Sequence, residues 1–147
     1  MGDLSDHFSK REFACRCCGN LIVSGRLVLA LEHLRSLARA PIIVHCGYRC
    51  AKHNHAAGGV NNSEHTLGTA ADIEIRGLSL QNMYDCALEI PEFANGGIGA
   101  YDSNFLHVDV RDHVARWARV LGKYVSIEHL VQEPVLLARS AASTHSG

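Results

Sequence analysis

Two short runs with a period of two constrain this chain more than any other feature. In residues 69–75 an extended backbone places Asp72 and Glu74 on one side and Ala71, Ile73 and Ile75 on the other. In residues 105–110, continued by Arg111, the same period separates His107, Asp109 and Arg111 from Leu106, Val108 and Val110. Each run predicts a strand with one face that must be covered and one that gathers ionisable side chains. Paired as neighbours, the two strands would bring Asp72 and His107 together.

The cover is legible as helical periodicity. Leu27, Ala30, Leu31, Leu34, Leu37 and Ala38 form an apolar stripe over residues 26–39, and Pro41 ends it. Leu80, Met83, Tyr84, Ala87 and Leu88 mark a second helix that ends before Pro91. A short helix is predicted after Ser9, with Glu12 as its capping-box partner and Phe8 stapled onto Phe13. The β-branched run 42–46 reads as a buried strand, and residues 97–101 as another, joined to 105–110 by Asp102-Ser103-Asn104. Residues 48–62 have loop character, and a loop this long inside a domain points to function. Residues 113–121 fit either a short helix or an irregular arm. The expected class is α+β, with helices packed on a small antiparallel sheet.

At 147 residues the chain suits one domain, here assigned to residues 1–131, with 132–147 as a polar tail expected to fray. A composition 47% hydrophobic and 20% charged is ordinary for a globular core. The net charge of -1 supplies no basic footprint for nucleic acid. No apolar run approaches the roughly 20 residues of a spanning helix, and the acidic start Met1-Gly2-Asp3-Leu4-Ser5-Asp6 lacks the pattern of an export signal.

His65, Asp72 and His107 supply two imidazoles and a carboxylate, the donor set with which proteins hold zinc while leaving a fourth position open. The six cysteines pose a separate question. Cys15, Cys18, Cys46 and Cys50 have a spacing that allows a second, structural zinc, and disulfides or free buried thiols are the alternatives. Cys86, on the apolar side of its helix, reads as a core thiol.

Ser63-x-His65-x-x-Gly68-x-Ala70-x-Asp72 followed by His107-Val108-Asp109 resembles the M15 zinc peptidases, which cleave peptidoglycan stems and cross-links. The likeness extends to Phe8-Ser9 through Cys18-Gly19, to Tyr48-Arg49-Cys50 with His53-Asn54, and to 105–111, covering about residues 5–120. It is greatest to a compact branch encoded by bacteria and their phages, whose fold is shared with D-alanyl-D-alanine dipeptidases and the hedgehog signalling domain. The resemblance implies zinc on His65, Asp72 and His107 and a peptidoglycan peptide as substrate. It implies Arg49 across the metal on the substrate carbonyl or carboxylate, and Ser63 as a substrate-binding hydroxyl. It also implies a cell-envelope or phage-lysis setting, and places the cysteine knuckle near Arg49, where a disulfide could fasten the N-terminal arm.

One position departs from the family pattern. Better-known branches carry Asp or Glu three residues before the last histidine ligand, whereas this chain has Asn104, which cannot accept a proton. Asp109 is the nearest candidate base, and orientation of His107 or pairing with Arg111 is its other role. Glu74 and Asp102 are weaker candidates, while His53, His55 and His113 are loop histidines within possible reach of substrate. Two further classes remain: an inactive zinc-binding module recognising wall fragments or a protein partner, and an interaction domain organised by cysteine-bound zinc.

Overall fold

The computed structural model describes residues 2–56 and 63–134. The end of the predicted loop, 57–62, and the tail from 135 onward lie outside the described residues. Among the described residues five α-helices occupy Lys10–Phe13 (α1), Gly25–Ala38 (α2), Ala51–Ala56 (α3), Leu80–Leu88 (α4) and Pro91–Ala94 (α5). Six strands occupy Ile42–Cys46 (β1), Ala70–Ile75 (β2), Gly97–Tyr101 (β3), Phe105–Asp109 (β4), Ala115–Val120 (β5) and Lys123–Val125 (β6). They form a single sheet in the order β1-β2-β4-β3-β5-β6.

The α+β class is confirmed, and the sheet is antiparallel at every pairing except β3 with β5, which run parallel. That parallel pair corrects the reading of residues 113–121, which form β5 in place of a helix or arm. Its pairing partner is a strand that precedes it by a whole hairpin, so no local pattern announces it. The predicted loop also contains a helix, α3, and Pro91 opens α5 just after α4 closes.

The period of two survives folding. Ala71, Ile73, Ile75, Leu106 and Val108 are fully buried, against Leu27, Leu31 and Leu34 of α2, Met83, Tyr84 and Ala87 of α4, and Phe93 of α5. Each of the leucine, isoleucine, valine, methionine and phenylalanine side chains taken out of water contributes about 1.5–3 kcal/mol before chain entropy is subtracted. Serine caps open both long helices: Ser24 Oγ accepts from Arg26 N and Leu27 N, and Ser79 Oγ accepts from Asn82 N. At α1, Ser9 N donates to Glu12 Oε2 at 2.6 Å, while the Phe8 and Phe13 rings meet edge to face at 5.9 Å.

On the opposite face the strand registers align a single transverse row. Cys46 stands opposite Asp72, Asp72 opposite His107, His107 opposite Gly99, and Gly99 opposite Trp117. Because side chains of paired residues share a face, these five positions cross five strands on one side of the sheet.

Candidate metal centre

Strand pairing supplies two corners of the site, and a tight turn supplies the third. His65 sits in the 3-10 turn Glu64–Leu67, whose first backbone groups are held by Ser63 Oγ, accepting from His65 N at 3.2 Å. The turn closes on Gly68 with φ 74, a left-handed conformation that favours glycine. A Cβ at Gly68 would also lie 2.3 Å from the carbonyl oxygen of Ile22, so the backbone passes where no side chain fits.

His65 Nε2, Asp72 Oδ1 and His107 Nδ1 form a triangle with edges of 3.2, 3.2 and 3.3 Å. A tetrahedral zinc with bonds of 2.0–2.1 Å sets its nitrogen and oxygen ligands about 3.3 Å apart. The second nitrogen of each ring is already committed. His65 Nδ1 donates to the Gly47 carbonyl at 2.7 Å, and His107 Nε2 donates to Asp109 Oδ2 at 2.7 Å. In the neutral imidazoles both inward nitrogens therefore present lone pairs, facing a carboxylate oxygen with no donor between them. Three converging acceptors repel one another unless a cation stands among them.

The electrostatics point the same way. Burial would raise the Asp72 carboxyl, but His65 and His107 hold it well below the usual carboxylate range. Burial would lower the pKa of both histidines, yet each is raised: His65 by Asp72, His107 by Asp109 and Asp72. The triangle thus concentrates negative potential where a positive charge would sit. Asp72 keeps 14% of its side chain exposed, against 2% for His65 and 6% for His107, so the open side lies at the carboxylate.

Asp109 lies behind His107 and is fully buried. Besides His107 it accepts from Gly97 N at 2.9 Å, from Arg111 N and Nε at 3.1 and 2.9 Å, and from an Arg111 terminal nitrogen at 2.7 Å. Burial opposes ionisation, but the bonds from His107 and Arg111 hold its carboxyl below the ordinary range. Arg49 follows the Gly47 carbonyl by two residues, and its backbone N–H donates to His65 O at 3.1 Å. Its Nε is buried and has no partner among the described residues.

The other candidate bases have different places. Asn104 is exposed at φ 71 in the β3–β4 turn, a left-handed position that asparagine tolerates. Glu74 pairs with His45 at 3.0 Å, and Asp102 accepts from Leu121 N at 2.8 Å. His113 pairs with Asp112 in solvent, His55 is exposed, and His53 turns toward Cys15 at 3.5 Å.

Three neighbours escaped the sequence reading. The Trp117 ring lies 4.9 Å from the His107 ring, with the Arg111 guanidinium 5.4 Å from its centre. Tyr101 Oη accepts from Trp117 Nε1 at 3.4 Å, and burial pushes its pKa up to about 12. Cys46 Sγ lies 3.9 Å from His65 Nδ1 and groups with His65 and Asp72. That placement removes Cys46 from the cysteine set expected with Cys15, Cys18 and Cys50, because β1 ends with Cys46 opposite Asp72. Cys17 joins Cys15 and Cys50 instead, all six cysteines are free, and no disulfide occurs among the described residues.

A cavity of about 740 Å³ bordered by Gln81, Asp85, Leu88, Arg116 and Glu133 contains none of the triangle residues. No helix among the described residues is long and apolar enough to cross a membrane.

Comparison with known proteins places the chain in a family. The family model for Peptidase M15 matches residues 6–109, from the start of the arm through β4, and so includes all three corners. Over 79 residues the chain is 40% identical to the probable peptidoglycan L,D-endopeptidase MepK of Haemophilus influenzae, a match spanning 50% of this chain and 41% of that protein. Over 77 residues it is 36% identical to the peptidoglycan L,D-endopeptidase MepK of Escherichia coli, spanning 48% of this chain and 41% of the relative. The chain thus spans about two fifths of the length of the curated relatives it matches. With the family match running through most of the fold and every corner of the triangle, this chain belongs to the M15 peptidases.

Proposed function

We propose that this chain is a zinc-dependent peptidase that hydrolyses an amide bond in peptidoglycan peptides. The observation that carries the proposal is the triangle of His65, Asp72 and His107, three lone-pair donors at the separations of a tetrahedral zinc site. Zinc held there supplies Lewis acidity toward a scissile carbonyl and lowers the pKa of a water. Asp109 keeps the proton of His107 on Nε2 and so keeps its Nδ1 lone pair turned inward. With both oxygens engaged by His107, Gly97 and Arg111, Asp109 serves as a positioning residue and not as the base. Arg49, whose buried Nε has no partner among the described residues, is the donor for a substrate carbonyl or carboxylate, where a fixed guanidinium stabilises developing negative charge. Ser63 holds the His65 turn and retains its hydroxyl hydrogen for a substrate acceptor.

The MepK relatives favour L,D-endopeptidase action. Arg49 also suits the terminal carboxylate of a carboxypeptidase substrate. The second reading, a zinc-binding module without hydrolysis, is favoured by Asn104, exposed in its turn and unable to take a proton. The deciding experiment measures zinc in the purified chain, digests murein with it and sizes the fragments by mass spectrometry, then repeats both with His65→Ala. Cleavage and zinc at this site are expected to be lost together in the variant. Zinc lost with His65→Ala, but murein left uncut by the unsubstituted chain, would establish the second reading.

A further inference from the structure

The cysteines of the N-terminal arm are unused by the proposed chemistry, yet they converge. The Cys15, Cys17 and Cys50 sulfurs lie within 4.8 Å of one another, and Cys18 borders both Cys15 and Cys50. Sulfur ligands around a tetrahedral zinc with bonds of about 2.3 Å are roughly 3.8 Å apart, a contraction of about 1 Å at most for Cys15, Cys17 and Cys50. Three thiols come from the knuckle Cys15-Arg16-Cys17-Cys18-Gly19, in which Gly19 N donates to Cys15 O at 2.8 Å and Gly19 takes φ 76. The remaining thiol comes from the residue that precedes α3.

The surroundings of the sulfurs are those of metal-bound thiolates. Cys50 N donates to Cys15 Sγ at 3.4 Å, and His53 N donates to Cys50 Sγ at 3.4 Å. His53 Nδ1 stands 3.5 Å from Cys15 Sγ, close enough to serve as an alternative fourth ligand. Backbone N–H groups aimed at sulfur stabilise negative charge there, the outer support that structural zinc sites require. Four soft donors of this type select zinc over calcium or magnesium.

We propose that Cys15, Cys17, Cys18 and Cys50 form a second, structural zinc site that clips the N-terminal arm to the start of α3. Zinc enters by displacing protons from the thiols, with no change of oxidation state. The clip has a position as well as a ligand set: Cys50 adjoins Arg49, and Cys15 N donates to Asn20 O at 2.8 Å to close the knuckle beside it. Fixing Cys50 fixes the adjoining backbone of Arg49, whose N–H donates to the carbonyl of His65. The site stands on its own geometry, whether or not the triangle holds metal.

The test uses the full chain purified under reducing conditions and compares it with His65→Ala, Cys46→Ser and Cys50→Ser. Zinc is counted by elemental analysis, and cobalt is exchanged in to look for the near-ultraviolet charge-transfer band of cobalt–thiolate bonds. One equivalent retained in His65→Ala, with the band present there and in Cys46→Ser and lost in Cys50→Ser, is the expected result. Should Cys50→Ser fail to fold, His65→Ala and Cys46→Ser still decide, since neither changes the cysteine cluster. Absence of metal from His65→Ala would overturn the proposal. So would loss of the band in Cys46→Ser, or an intact mass two hydrogens lighter with a disulfide mapped among these four cysteines.

Discussion

In the proposed site Asp109 would separate metal affinity from substrate chemistry, because it touches His107 from behind and is buried away from the triangle's open side. In Asp109→Asn an amide NH2 must face either the N–H groups of Gly97 and Arg111 or the His107 N–H, and with the carboxylate charge lost the ring is held less firmly in one tautomer. Zinc affinity, measured by competition with a chromogenic chelator, is expected to fall about 10–100-fold. Arg49→Lys is the complementary change. Lysine keeps the charge but loses the planar fork, so kcat/KM on murein fragments is expected to fall about 10²–10³-fold with zinc content unchanged. A drop in zinc content in that variant would place Arg49 among the structural supports of the metal.

At the scale of elements, the site depends on a parallel pair that the chain forms across a hairpin. Gly99 leaves room for Trp117: a Cβ there would lie 2.4 Å from the indole ring. Gly99→Ala is therefore expected to displace the indole from His107 and to destabilise the fold by about 1–3 kcal/mol, as urea denaturation would measure. The β2–β4 pairing was legible beforehand, because polar and apolar residues alternate in both strands, so that burying both apolar faces puts both polar faces on the same side of the sheet. Asp72 and His107 could be paired for that reason. β5 was hidden because Arg116 and Arg119 flank Trp117 and Ala118 with no clean alternation, and its partner lies outside any local window. Cys46 was misplaced for a related cause: its role follows from standing opposite Asp72, which cysteine spacing does not encode. His65 was legible through its motif, although the lone-pair logic of the triangle rests on the Gly47 carbonyl, which no side-chain pattern reveals.

For the whole molecule, stability couples to protons and, with the proposed zinc bound, to metal. Glu32 on α2 ties down the N-terminal arm, accepting from Ser5 Oγ at 2.6 Å and from His7 N and Nδ1 at 2.7 Å each. Burial would raise its carboxyl, but these donors lower it below the ordinary value. A carboxyl depressed in the folded state adds stability that is present above its unfolded pKa of about 4.3 and lost as pH falls through the folded value. Glu32→Gln is expected to cost about 1 kcal/mol near neutrality, reduced by solvent screening, and almost nothing in acid. Denaturation midpoints across pH would show the two curves merging on the acid side. Zinc acts in the other direction, since the triangle exists only when β2, β4 and the His65 turn are assembled. At free zinc a thousandfold above its dissociation constant, the folded state is expected to gain about 4 kcal/mol per site, and a chelator should lower the melting temperature accordingly.

Trp117 is the only tryptophan of the chain, and it stands at one end of the row that runs through His107 and Asp72 to Cys46. Fluorescence excited selectively at indole therefore originates 4.9 Å from the ring of His107, with no distant indole to dilute it. The protein carries a built-in optical gauge of its own centre, through which filling with a quenching ion such as cobalt can be followed in real time without a label.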